Sequence, residues 1–114
     1  MKKILQSQYG ARNRRLLKQN MSYHEYLNSQ MWSSIREQLK SFPEFKKCYC
    51  CDKKGKVEMH HKHYRNLFKK EIRYHRESIL PLCRKCHQEV HDLSLENDWG
   101  LRQAARRLRK LNCL

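Results

Sequence analysis

Cys83-Arg84-Lys85-Cys86-His87-Gln88-Glu89-Val90-His91 packs two cysteines and two histidines into nine residues. Its cysteines stand at Cys-x2-Cys spacing, which lets two sulfurs of one tight turn reach the same ion. A second pair at this spacing, Cys48-Tyr49-Cys50-Cys51, ends 32 residues before Cys83. Together Cys48, Cys51, Cys83 and Cys86 offer four thiolates to a tetrahedral Zn²⁺. Such a site is closed, with no position left for substrate, so its role is structural. It contributes about 10 kcal/mol or more of folding free energy. Cys50 and Cys113 have no partner in this scheme, and Cys50 could replace Cys51 as a ligand.

The histidines point to a second site. His87 and His91 are i and i+4 on a helix expected over 84–93, so both rings face one way. Between the cysteine pairs lies His60-His61-Lys62-His63-Tyr64. A clip joining the strand end near residue 60 to this helix would bring His60 or His61 opposite His87 and His91. Three imidazoles converging with an open position make a catalytic metal site. A fourth, uncoordinated histidine, with an ordinary pKa of about 6.5, is then suited to act as a base. The role of His63 stays open. His24 and His75 lie outside the cluster and are read as ordinary core or surface residues.

The rest of the chain is short, basic and poor in apolar residues. Its 114 residues carry 26 Lys and Arg against 11 Asp and Glu, a formal charge of +15, and mean hydropathy is -1.05. That leaves room for one domain and excludes a large aliphatic core, which a metal staple would offset. No window approaches the roughly 18 to 20 apolar residues of a membrane span. Met1-Lys2-Lys3-Ile4-Leu5-Gln6 has charge but no apolar run after it. The expectation is therefore no secretory leader, no membrane partner, and a reducing, cytoplasmic location where thiols bind metal rather than pair. Residues 1–20 carry six bases and 99–114 carry five, neither with an acid. Acid-free basic blocks are solvated tails or nucleic-acid contacts, and Arg14, Arg15, Arg102, Arg106 and Arg109 are the candidates for phosphate contact.

Local patterns give an α+β reading. Ser22-Tyr23-His24-Glu25 fits a capping box opening a helix over 22–28. Ser29 opens another over 30–41, with Trp32, Ile35 and Leu39 on its inner face. Val57-Glu58-Met59-His60 alternates like a hairpin strand, 64–78 reads as loop with a helical turn, and Ile79-Leu80-Pro81-Leu82 is extended. Asp98 is expected to cap a last helix over 99–111. That helix would bury Leu101, Ala104, Ala105, Leu108 and Leu111 and present Arg102, Arg106 and Arg109 elsewhere.

The run from Cys48 to His91 resembles the HNH endonucleases, the ββα-metal or His-Me finger nucleases, in their zinc-stapled four-cysteine subgroup. The matching residues are Cys48-x2-Cys51, Val57 to Tyr64, Glu71, and Leu82 to His91. Tyr26-Leu27-x-Ser29-x2-Trp32-x3-Arg36 is similar to the helical lead-in of that module. The likeness covers about 70 of the 114 residues. It implies a basic N-terminal segment over 1–21, a nuclease domain with its lead-in over 22–95, and a basic C-terminal helix over 96–114. The fold implied is a small ββα-metal finger stapled by the four cysteines, with helices before it and after it.

By position, the resemblance puts His60 on the first metal ligand, His61 on the general base and His87 on the ligand that begins the finger helix. His91 falls on the further ligand of the double-histidine, colicin-like branch. Ser78 stands nine residues before His87, where the family usually has an asparagine bracing the loop that presents the base. Serine is shorter and makes fewer hydrogen bonds. The activity implied is metal-dependent hydrolysis of double-stranded DNA, leaving 5′-phosphate and 3′-hydroxyl ends, with the finger helix at the minor groove. Two metals are implied, a structural Zn²⁺ and one catalytic divalent ion. Three imidazoles suit Mn²⁺, Ni²⁺ or Zn²⁺ better than Mg²⁺. A non-catalytic zinc module that binds nucleic acid, or a weakened HNH relic, is the competing reading.

Overall fold

The structure is a computed structural model that describes residues 3–112; Met1, Lys2, Cys113 and Leu114 lie outside the described residues. Its elements run α1 (Lys3–Leu17), α2 (Tyr23–Leu27), α3 (Gln30–Leu39), a 3₁₀ turn (Pro43–Lys46), β1 (Glu58–His61), α4 (Ile72–Ser78), β2 (Ile79–Leu82), α5 (Arg84–Asn97) and α6 (Leu101–Asn112). The class is α+β, six α-helices and one two-stranded sheet among the described residues. No helix among them is long and apolar enough to cross a membrane.

The helix starts follow their capping residues. Ser22 Oγ accepts the Glu25 amide at 3.1 Å while Glu25 Oε1 accepts the Ser22 amide at 3.0 Å, closing the capping box. Ser29 Oγ accepts the Trp32 amide at 3.1 Å. Two helix ends use residues in left-handed geometry. After α1, Asn20 adopts φ 52°, and the amides of Asn20 and Met21 donate to the carbonyls of Leu17 and Leu16. After α5, Asp98 adopts φ 53° and the Trp99 amide donates to Ser94 O. Both have the pattern of a Schellman motif, and the short polar side chains of Asn and Asp tolerate that conformation better than most. Asp98 thus closes α5, which runs on past Leu93, instead of opening the last helix.

β1 and β2 pair antiparallel in the register Glu58↔Leu82, Met59↔Pro81, His60↔Leu80 and His61↔Ile79. The ribbon separates two cores. On one face Met59 and Ile79 meet Tyr26, Trp32, Ile35 and Leu39 of the N-terminal helices, together with Leu16 from α1. On the other, Leu80 and Leu82 meet Cys48, Cys50, Cys86, Val90, Ala104, Ala105 and Leu108. The second core holds three cysteines and two alanines where a larger domain would place aliphatics. Alternation along β1 sends neighbouring side chains to opposite faces, so His60 faces α5 and His61 faces the aromatic core. Leu111, expected on the inner side of α6, is 61% exposed.

Candidate metal centres and the histidine cleft

The four predicted cysteines come together. Cys48, Cys51, Cys83 and Cys86 bring their sulfurs within 4.8 Å of one another, an arrangement able to hold a metal ion such as zinc. Cys51 Sγ and Cys83 Sγ stand 3.8 Å apart, which matches the roughly 3.8 Å edge of a tetrahedron built on Zn–S bonds of about 2.3 Å. The loop carrying the first pair is closed on itself, the Cys48 amide to Lys53 O and the Asp52 amide to Cys48 O, each at 2.9 Å. It docks on β2 through the Tyr49 amide and Pro81 O at 2.7 Å.

The thiols do not share one environment. Burial works against ionisation of Cys48, but backbone amides of Cys83, Cys51 and Cys50 outweigh it and hold its pKa below the ordinary value. Burial pushes the Cys51 and Cys86 thiols up. A divalent cation deprotonates such a set as a group. Cys50 is resolved as no ligand. Its thiol, pushed up to about 12 by burial and then by Cys48 and Cys51, donates to Ala105 O at 3.5 Å.

α6 fastens this loop from outside. Arg109 Nη1 donates to Tyr49 O, its guanidinium lies 5.0 Å over the Tyr49 ring, and Asn112 Nδ2 donates to Cys50 O at 3.2 Å. Arg109 also reaches Asp52 at 3.5 Å, so this candidate for phosphate contact is engaged by the cysteine loop. Arg102 and Arg106 are exposed on the other side of α6, close enough to Lys62 to hold its pKa down, after burial itself. Arg14 and Arg15 occupy the last turn of α1, where cations oppose the negative end of the helix dipole.

Three of the predicted histidines also converge. Ring nitrogens of His60, His87 and His91 lie within 4.8 Å of one another. His87 Nε2 and His91 Nε2 are 3.2 Å apart, near the roughly 3.4 Å edge of a tetrahedron with metal–nitrogen bonds of about 2.1 Å. His60 is 2% exposed, and its Nε2 is buried without a hydrogen-bond partner. Burial, then His87 and His91, push its pKa down to about 2. Burial and then His87 lower His91 as well. His60 and His91 are therefore neutral near pH 7, with lone pairs available. Glu58 adds a partner that no local sequence signal identifies: its Oε1 accepts from His87 Nδ1 at 2.9 Å. It lies two residues before His60, on the same face of β1. Fixing Nδ1 in this way leaves Nε2 free for an ion.

His61 stands apart from that cluster, across the strand. Its ring centroid is 4.9 Å from that of Trp32 and 5.4 Å from that of Tyr64. Tyr23 Oη lies 3.5 Å from its Nδ1, and its Nε2 is buried with no partner. Burial, then His75, His63 and Arg12, push its pKa down to about 3. The other histidines take structural or peripheral places. His75 is buried and its Nε2 donates to Lys69 O at 2.7 Å. His63 Nδ1 accepts the Arg65 amide at 3.3 Å, and exposed His24 pairs with Asn28 on its own helix.

Ser78 is buried at the end of α4 and spends its hydroxyl on Tyr74 O at 3.0 Å, inside its own helix. The segment after His61 is held instead by the Lys62 amide on Ser78 O at 3.0 Å and by Asn66 Nδ2 on Tyr74 O at 2.9 Å. The Ser78 hydroxyl thus stays within its own helix, and the contacts to the following segment come from its backbone and from Asn66.

Although His60 and His61 face opposite ways, both line one cleft of about 990 Å³ that also admits His87 and His91. It follows the edge of β1 that has no strand partner among the described residues. Arg12, Arg36, Lys40, Lys46 and Lys56 line it against a single carboxylate, Glu58, which His87 occupies. Comparisons of the chain with family profiles, curated proteins and solved structures yield no match.

Proposed function

We propose that the chain is a metal-dependent endonuclease of the HNH type that hydrolyses phosphodiester bonds in DNA, with His61 as general base. The observation that carries this reading is the cleft itself. Three imidazoles able to hold one ion, and a fourth whose Nε2 lacks a partner, line the same basic concavity. The order β1, β2, α5 supports it, since a ribbon followed by a helix supplies His60, then His87 and His91, as in a ββα-metal finger.

His60, His87 and His91 would hold the divalent ion, and the four cysteines a structural zinc. A bound ion with an open position supplies Lewis acidity toward the phosphate and charge stabilisation at the leaving oxygen. The chain's own groups do the remaining work. The base role requires the tautomer in which His61 Nδ1–H donates to Tyr23 Oη, leaving the Nε2 lone pair for a proton of water. The hydrophobic setting keeps that ring neutral, and a phosphodiester drawn into the cleft adds the negative charge that raises its proton affinity. Lys and Arg around the rim neutralise the incoming backbone.

The test is nicking of supercoiled plasmid by the purified chain loaded with Mn²⁺ or Ni²⁺, beside an EDTA control. Metal-dependent conversion to open circles is expected. DNA binding without any conversion would leave a non-catalytic module. Within this reading Glu58→Gln removes the carboxylate behind His87, and a 10- to 100-fold weaker Ni²⁺ affinity is expected by calorimetry. The cysteine-bound metal is retained in that variant.

A further inference from the structure

We propose that Arg12 forms a phosphodiester-binding site at the mouth of the cleft, so that α1 is part of the nuclease site and not an accessory tail. The inference rests on the nuclease reading for its role in turnover, though not for the anion site itself.

Arg12 is half-buried and lines the cleft shared by His61 and the three-histidine cluster. Its guanidinium carbon lies 4.2 Å over the Tyr23 ring, 4.9 Å over Tyr9 and 5.4 Å over Tyr64. All three distances fall inside the range in which a ring face attracts a cation. Three rings therefore fix the guanidinium without neutralising it. No carboxylate lies within ion-pair distance of it among the described residues. Its Nε donates to the neighbouring Asn13 Oδ1 at 3.1 Å, and the Tyr64 hydroxyl is a further side-chain hydrogen-bond partner.

A guanidinium held among three rings, half desolvated and without an anion, suits a planar two-oxygen acceptor. The two non-bridging oxygens of a phosphodiester present that acceptor to the parallel N–H pair of an arginine fork. The location makes the ligand specific to the reaction. Tyr23 and Tyr64, which hold the guanidinium, are also the rings against His61, with Tyr23 Oη at 3.5 Å from its Nδ1. A phosphate seated on Arg12 is thereby placed beside the imidazole proposed to activate water. Donors aimed at charge that grows in the transition state act on turnover more than on affinity.

Two measurements test this with the full chain. In the first, dimethyl phosphate is titrated into ¹⁵N-labelled protein while the Arg12 Nε–H signal is followed, with sodium chloride at equal ionic strength as control. A saturable shift with the diester and none with chloride is expected, and no shift overturns the site whether or not the protein cuts DNA. In the second, wild type, Arg12→Gln and Arg12→Lys are compared in plasmid nicking with Mn²⁺. For Arg12→Gln, kcat is expected to fall about 10²-fold with KM changed less than about threefold. Arg12→Lys should recover less than a tenth of the wild-type rate, and the melting transition and Ni²⁺ affinity should stay at wild-type values. A wild type that nicks beside an Arg12→Gln variant within threefold of it overturns the role of Arg12. A wild type that does not nick, with the diester shift present, overturns the nuclease reading and leaves the anion site standing.

Discussion

Cys83→Ser is expected to cost the protein its cysteine-bound metal and, with it, a cooperative melt. Cys83 is the N-cap of α5 and Cys86 sits in its first turn, so an ion held by them with Cys48 and Cys51 would anchor the start of that helix. The surrounding core is thin, built from Cys48, Cys50, Cys86, Ala104 and Ala105 beside Leu82, Val90 and Leu108. A structural zinc contributes about 10 kcal/mol or more, as much as the roughly 5 to 15 kcal/mol net stability of a whole domain. A net charge of +15 adds self-repulsion. Removing one thiolate therefore leaves little to hold α5 against the ribbon. Zinc content by atomic emission and a thermal melt by circular dichroism read the outcome. Cys50→Ser, at the thiol that faces Ala105, should retain the metal. A native-like cooperative melt of Cys83→Ser would rule out the cysteine site as the staple.

The second large effect concerns His61. His61→Ala is expected to lower the rate of plasmid nicking by at least about 10²-fold, with both metals still bound. The reasoning is spatial. His61 lies across β1 from His60, His87 and His91 and contributes no atom to their cluster, so on the proposed mechanism its loss would remove the proton acceptor and no ligand. The substitution also opens space beside Trp32 and Tyr64, for which a drop of about 2 to 4 kcal/mol in stability is expected. That drop is separable from the catalytic loss because rates are compared well below the melting transition. Unchanged nicking under chelator-controlled conditions would take His61 out of the base role.

Much of this is legible in the sequence alone. The Ser22–Glu25 capping box and the Ser29 start are local rules satisfied by local atoms. The cysteine pairs declare themselves because two sulfurs on one turn have few other uses, and i,i+4 spacing places His87 and His91 on one face without further information. What was hidden depends on distance in sequence or on weak patterning. α1 reads as a run of charge because its apolar residues do not form a sustained stripe; only its packing through Leu16 and Tyr9 reveals its place. Glu58 meets His87 across 29 residues, and Asn66 and Arg12 act through contacts that no spacing predicts. Asp98 was misleading for a physical reason. An aspartate before a helical pattern reads as a start, yet its tolerance of left-handed backbone equally suits a stop. Arg109 looked like its neighbours Arg102 and Arg106 until the cysteine loop turned out to lie against it.

The adjacency of His60 and His61 has a consequence for how this site could arise or be lost. Two identical rings, one peptide apart, leave the main chain on opposite faces of β1, one toward the imidazole cluster and one toward the aromatic core, while both border the same cleft. A slip of one residue between β1 and β2 would exchange the tenants of those faces and leave the composition of the site unaltered. Inserting or deleting one residue within Val57–His60 should therefore be far more damaging than replacing any single apolar neighbour, because it inverts the zigzag that tells the two rings apart.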